Sequence, residues 1–94
     1  MSKIFAVEYH YVTDQDEAMA EVRPRHRAFN AELADRGLLL AAGPFVGTHD
    51  ALIIVRAEDA ASALALLEED PFQAAGYIAE RVVREYNPVI GVLS

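Results

Sequence analysis

The chain has 94 residues, with 15 acidic against 8 basic side chains and a formal net charge of −7. This length allows one domain, residues 1–94, around one hydrophobic core, and the acidic balance argues against nucleic acid or an anionic membrane as partner. The absence of cysteine excludes disulfides and thiolate metal sites. No signal peptide or membrane span is predicted, so we expect a cytoplasmic protein.

Hydrophobic periodicity predicts elements in the order βαββαβ. In the first strand, Phe5, Val7 and Tyr9 would share one face of the sheet, because side chains alternate across a strand. The polar stretch at 13–21 is expected to form a loop or a short helical turn. The predicted elements are strands at 3–12, 38–42, 51–56 and 77–86, helices at 23–36 and 60–69, a further turn at 71–75, and a mixed tail from about 87.

Proline, glycine and aspartate mark the predicted ends of these elements. Pro24 suits the first turn of the first helix, where its missing N–H costs little, and Gly37 suits the C-terminal end of that helix. Gly43 and Pro44 are predicted to end the second strand. Asp59 is predicted to cap the second helix at its N-terminus.

This order of elements predicts an α+β, ferredoxin-like fold, with a four-stranded antiparallel sheet and both helices on one face. Strands one and three would be central, and the third strand has the most continuous apolar run. Two helices cover only one face of a sheet. We therefore expect a homodimer that packs through the open sheet face.

Two ionisable side chains fall on helix faces that are otherwise apolar. His26 shares one stripe of the first helix with Phe29 and Leu33, so its imidazole points toward whatever the helix packs on. Asp70 lies three residues after Leu67 and continues the inward stripe of the second helix. The topology places the start of the first helix and the end of the second at one end of the sheet. We therefore expect the two side chains to meet.

A histidine beside a carboxylate predicts acid–base chemistry. A carboxylate that accepts from one ring nitrogen fixes the tautomer and leaves the other nitrogen to take or give a proton. His26 and Asp70 are therefore the candidate catalytic residues. Arginine offers a fork of donors to a carboxylate group of a ligand. The residues expected to contact such a ligand at this end of the sheet are Arg23, Tyr9, Gly43 and Pro44.

Structural roles for the same residues stay open at this point. Asp70 precedes a proline and is a good N-cap for the following turn. His26 also suits a core histidine bonded to a backbone carbonyl, and Arg23 with its neighbouring arginines suits a solvated basic face. Three scattered histidines do not predict a metal site, and no metal or cofactor is expected.

Three motifs in the chain resemble the YciI-like (YCII-related) family. They are V-R-P-R-H-R at 22–27, L-L-L-A-A-G-P at 38–44 and D-P-F-Q-A-A-G at 70–76, and the likeness runs from about residue 3 to 86. The resemblance implies a ferredoxin-like subunit of the dimeric α+β barrel group, which includes muconolactone isomerases and cofactor-free monooxygenases. It also implies that His26 and Asp70 match the family's His/Asp centre.

The resemblance further implies that Arg23 and the Gly43-Pro44 turn shape the pocket. One relative is a dehalogenase that acts on a chlorinated muconolactone. Many members carry a Glu-His pair on the fourth strand, where this chain has Ala79 and Glu80, so the resemblance does not extend to an acid or base from that strand.

The function expected from these observations is that of a cofactor-independent enzyme. It would use its His/Asp pair for proton transfer on a small organic acid or lactone, in a reaction of the isomerase, lyase or dehalogenase type. The alternative is a non-catalytic module that binds a small molecule or regulates through it. The sequence leaves both open.

Overall fold

The structure, a computed structural model, describes residues 2–94 and contains four strands and three helices. The strands form one antiparallel sheet in the order β2-β3-β1-β4, so the first and third strands are central, as predicted. The α+β ferredoxin-like fold is thereby confirmed. The elements in chain order are β1 (Lys3–Tyr11), α1 (Asp16–Asp35), β2 (Leu39–Pro44), β3 (Asp50–Ala57), α2 (Ala60–Leu66), α3 (Pro71–Ala74) and β4 (Ile78–Tyr86).

The core lies between the sheet and the helices. Alternate residues of β1 are buried, and Val7 pairs in register with Ile53 of β3 on the same face. Leu33 of α1 and Leu67 at the end of α2 pack against this face. Full burial of one such side chain stabilises the fold by about 1.5–3 kcal/mol, so this layer holds the helices on one side of the sheet.

The opposite face of the sheet is partly exposed. It carries the other set of β1 side chains, from Ile4 to His10, alternating with the buried set. Across the ladder this set pairs with Leu52 and Ile54 of β3 and with Val82 of β4. The open face therefore carries apolar side chains, with Glu8 between Leu52 and Val82 and Arg84 beside Ala6.

The first helix differs from its prediction at its N-terminal end. α1 begins at Asp16, so the stretch expected to be a loop or a short turn is mostly helical, and Pro24 lies inside the helix instead of in its first turn. Two features favour the longer helix: Met19 is buried against the protein, and two acidic residues in the first turn complement the helix dipole. Pro24 and Ala20 are exposed, so the carbonyl that loses its intrahelical partner lies on the solvent side.

The glycines, caps and strand ends in the middle of the chain agree with prediction in part. Gly37 has a φ of 74° just after α1, which is the left-handed conformation that glycine adopts at a helix end. Asp59 caps α2, and its carboxylate accepts from the backbone N–H of Ser62 at 2.7 Å. Gly43 and Pro44 belong to β2 instead of ending it, because they continue the pairing with β3. Within residues 2–94, no helix is both long and apolar enough to cross a bilayer.

Candidate active site

A cavity of about 690 Å³ lies between α1 and the β2–β3 side of the sheet, a volume in the range of small-molecule sites. One wall is a single face of α1, because its lining residues recur at spacings of three and four. The facing wall comes from β2 and β3 and includes Gly43 and Pro44, as expected from the sequence. The polar residues that α1 contributes are Asp16, Arg23, His26, Arg27 and Asn30.

The imidazole of His26 and the carboxylate of Asp70 meet at the wall of this cavity. Nδ1 of His26 lies 2.7 Å from one carboxylate oxygen and 3.0 Å from the other, across 44 positions of sequence. The Asp70 side chain has no exposed surface, and the His26 side chain is 12% exposed. A carboxylate only accepts hydrogen bonds, so Nδ1 carries the proton and Nε2 of the neutral ring presents a lone pair.

Asp70 has a structural contact as well. The same oxygen that is bonded to the imidazole accepts from the backbone N–H of Phe72 at 2.9 Å, which caps α3. Phe72 then stacks its ring on that of His26, with centroids 4.1 Å apart and an interplanar angle of 11°. The capping role left open by the sequence and the contact with His26 therefore occur together, and both orient the imidazole.

His26 reaches this contact from a different place than expected. It lies midway along α1 instead of near its start, because α1 begins earlier than predicted. The pair forms nevertheless, since the single turn of α3 lies beside the middle of α1 and brings Phe72 onto the imidazole. The inward orientation of His26 follows from helical period. Asp70 was expected to continue the inward stripe of the second helix, but α2 ends at Leu66, and Asp70 is turned inward as the N-cap of α3.

Asn30 also lies beside the imidazole of His26. Its Nδ2 lies 3.4 Å from Nε2 of His26, on the side of the ring opposite Asp70. Its Oδ1 is buried and has no hydrogen-bond partner among the described residues. Asn30 was not predicted as a site residue, although a polar residue four positions after a candidate histidine lies on the same helix face.

Two arginines face the cavity as well. Arg23 and Arg27 are one turn apart on α1 and both line the cavity. Neither takes part in an ion pair within the part of the chain that the structure describes. Two aspartates, Asp16 and Asp50, line the same cavity, and neither is in an ion pair with these arginines. The two guanidinium groups are therefore available to an anionic group of a ligand.

Of the two tyrosines of β1, Tyr9 was expected to contact a ligand, but Tyr11 is the one that lines the cavity. Tyr9 has no exposed surface and lies in the core, so the expectation that it contacts a ligand is corrected. Tyr11, two residues on, lines the cavity and packs edge-on against Phe72. Burial, followed by the nearby charge of Asp70, raises the pKa of Tyr11 to about 12. The phenol is therefore neutral at physiological pH.

Tyr9 is shielded more completely than Tyr11. Burial and then the charge of Asp70 raise the pKa of Tyr9 well above its ordinary value, while Arg81 acts in the opposite direction. Among residues 2–94, no group of three or more histidine and acidic side chains could hold a metal ion.

The sequence profile of the YCII-related domain matches residues 4–87. The chain belongs to the YCII-related domain family. No curated protein matches this YCII-related chain. Solved structures with the same fold include 5-chloro-2-hydroxyhydroquinone dehydrochlorinase (TftG) from Burkholderia phenoliruptrix AC1100 in complex with 2,5-dihydroxybenzoquinone, at 19% identity and a TM-score of 0.77, covering 89% of this chain and 93% of that one.

Two further structures are more distant in shape. A NIPSNAP family protein from Agrobacterium tumefaciens is 16% identical with a TM-score of 0.59, covering 95% of this chain and 94% of its own. A protein from Nitrosomonas europaea named as an antibiotic biosynthesis monooxygenase is 16% identical with a TM-score of 0.61, covering 96% of this chain and 100% of its own. At these identities the likeness establishes the fold of the YCII-related chain.

Proposed function

We propose that this YCII-related chain is a cofactor-independent enzyme that transfers a proton on a small organic acid or lactone. The observation that carries the proposal is the bond of 2.7 Å between a fully buried Asp70 and Nδ1 of His26 at the wall of a cavity. A buried carboxylate behind an imidazole is the arrangement that holds histidine in one tautomer for general acid–base work.

In the proposed reaction, Nε2 of His26 takes a proton from a C–H or O–H group of the ligand, and the bonding electron pair stays on the ligand. The positive charge then carried by the ring is stabilised by Asp70 and by the face of Phe72 stacked 4.1 Å away. The electron pair can then accept the proton at a different atom, which is an isomerisation. It can instead expel a leaving group such as a halide, which is an elimination.

The proposed ligand is anionic because Arg23 and Arg27 both face the cavity and neither forms an ion pair within residues 2–94, although Asp16 and Asp50 line the cavity as well. A guanidinium group binds a carboxylate through two parallel hydrogen bonds. Gly43 and Pro44 form part of the opposite wall, where the absence of a long side chain leaves room for the ligand. TftG, which has a similar structure, is named a dehydrochlorinase, and this favours an elimination among the possible reactions.

The test begins with a thermal-shift screen of small carboxylic acids and lactones, followed by turnover assays on the compounds that bind. We expect His26→Ala and Asp70→Asn to lower turnover by about 10²–10⁴-fold, the usual contribution of general acid–base catalysis. Arg25→Ala, exposed on α1 and not among the residues that line the cavity, is the control. Binding without turnover in the parent chain would favour a non-catalytic binding module, whereas turnover within about threefold of the parent in both variants would remove the His/Asp pair from the mechanism.

The proposed assembly is a homodimer formed through the open sheet face, in the reducing cytosol that suits a chain without cysteine. Its support is the set of apolar side chains on that face, Leu52, Ile54 and Val82, together with a tail whose Val89, Ile90 and Val92 are 73%, 89% and 100% exposed. Light scattering should give twice the chain mass for the parent and the chain mass for Leu52→Asp. Ala65→Asp, on the exposed side of α2, is the control, and a monomeric parent at low micromolar concentration would end the proposal.

A further inference from the structure

Asn30 faces the one ring nitrogen of His26 that Asp70 does not hold. Because Nδ1 donates to Asp70, Nε2 of the neutral ring is an acceptor, and the Nδ2 donor of Asn30 lies 3.4 Å from it. An N–H donor in this position can form a hydrogen bond only with the neutral imidazole. In a protonated imidazole, Nε2 would carry a hydrogen and would need an acceptor in the same place.

That acceptor is already present on the same side chain. Oδ1 of Asn30 is buried and has no partner within residues 2–94, which is uncommon for a buried carbonyl oxygen. The two ends of a side-chain amide are nearly equal in size, and a half-turn about the Cβ–Cγ bond exchanges them. After such a turn, Oδ1 would accept from the Nε2–H of the protonated ring.

We infer that Asn30 is a positioning residue for His26 whose amide serves both protonation states of the ring. It donates through Nδ2 to the neutral imidazole and accepts through Oδ1 from the protonated one, turning over each time the ring gains or loses a proton. This inference rests on the proposed acid–base function of His26. It adds a residue that keeps the ring in place while its charge changes, because Asp70 holds only Nδ1.

Other groups near the ring are charged or titratable and must be separated from this effect. Asp70 faces the ring from the start of α3, Tyr11 comes from β1, and Arg23 and Arg27 come from α1 itself. The other titratable residues on the cavity wall are Asp16, His49 and Asp50. Only Asn30 is neutral, within reach of Nε2, and able to present either a donor or an acceptor.

The decisive experiment is an NMR titration of the parent chain, which needs no substrate. Above the midpoint of the His26 titration, the side-chain amide protons of Asn30 should show nuclear Overhauser contacts to the ring C–H protons that flank Nε2. Below the midpoint these contacts should weaken, and the amide shifts should change at the same pH as the ring. The amide of Asn87, exposed after β4, is the internal control and should not follow the ring.

A variant provides the second measurement. Asn30→Leu removes both the donor to the neutral ring and the acceptor to the protonated ring while keeping much of the volume. Its ring should therefore be held less firmly in both states, with weaker nuclear Overhauser contacts between the ring C–H protons and Phe72 than in the parent chain. An amide that keeps the same contacts on both sides of the midpoint in the parent chain, or a ring that keeps the parent's contacts to Phe72 in Asn30→Leu, would overturn the assignment. If the NMR results are as expected but His26→Ala leaves turnover unchanged, the proposed catalytic role of His26 fails while the role of Asn30 toward the ring stands.

Discussion

The buried carboxylate of Asp70 gives the most demanding test of the structure. Asp70→Ala removes the only acceptor seen for Nδ1 of His26 among the described residues, and it also removes the cap on the N–H of Phe72. Each buried donor left without a partner costs about 1–3 kcal/mol. Two such donors, Nδ1 of His26 and the backbone N–H of Phe72, lose their acceptor here, so the total should be about 4 kcal/mol. That is a large part of the roughly 5–15 kcal/mol by which a native domain is stable.

Asp70→Asn should be much milder, for a reason visible in the geometry. A single oxygen of Asp70, Oδ1, accepts both from the imidazole at 2.7 Å and from Phe72 at 2.9 Å, and the amide oxygen of asparagine can occupy its place. The amide nitrogen would then stand where Oδ2 lies, 3.0 Å from the Nδ1 donor. Loss of the charge assistance and this donor–donor contact should cost about 1–2 kcal/mol.

Thermal unfolding followed by circular dichroism measures the difference. For a domain of this size, 1 kcal/mol corresponds to about 4–8 °C in Tm, so Asp70→Ala should lower Tm by about 15–30 °C and Asp70→Asn by about 5–15 °C. The exposed neighbour Glu69 provides the control, because Glu69→Ala should stay within about 0.5 kcal/mol of the parent. A Tm for Asp70→Ala within a few degrees of the parent would refute the view of this carboxylate as a buried, doubly bonded acceptor.

Two further outcomes follow from the tyrosines and the glycines. Burial raises the pKa of Tyr11 from 10.0 to about 12 and that of Tyr9 further, so the folded chain keeps protons that the unfolded chain loses. The free energy of unfolding should therefore fall as pH rises from 10 toward 12, less steeply in Tyr11→Phe, and a flat urea-unfolding series over this range would contradict it. Gly37→Ala forces a side chain into φ of 74° and should cost about 1–2 kcal/mol by the same urea assay, whereas Gly43→Ala, with open space around it and no positive φ, should stay within about 0.5 kcal/mol. Equal stabilities for the two glycine variants would show that backbone strain at position 37 does not lower the stability of the chain.

The parts of the site that could be predicted are those that depend on local period. His26 faces inward because it continues an apolar stripe of α1, and a stripe can be read from residue spacing alone. Asp70 was expected to continue the stripe of the second helix, but α2 ends at Leu66 and Asp70 is the N-cap of α3. The order of elements then limits the topologies to very few. The predicted start of α1 was wrong because proline is favoured in the first turn of a helix, whereas the burial of Met19 favours an earlier start.

The residues that escaped prediction depend on where two elements cross. Tyr9 and Tyr11 share a face of β1, and only the position of α1 and α3 over the sheet makes one of them core and the other a cavity residue. Asn30 has no periodic signal of its own. Its buried Oδ1 can be recognised as unpaired only when the side chains packed around it are known.

By itself the sequence determined the order of strands and helices, the two faces of the sheet, and the inward direction of the imidazole. Each of these follows from spacings within one segment or from the few ways short connections can link the segments. Only the tertiary structure decided that the imidazole stands 2.7 Å from the carboxylate of Asp70 and that Asp70 also caps a helical turn. The physical reason is that hydrogen bonding is sensitive to tenths of an ångström, and such distances arise from the packing of whole elements against one another.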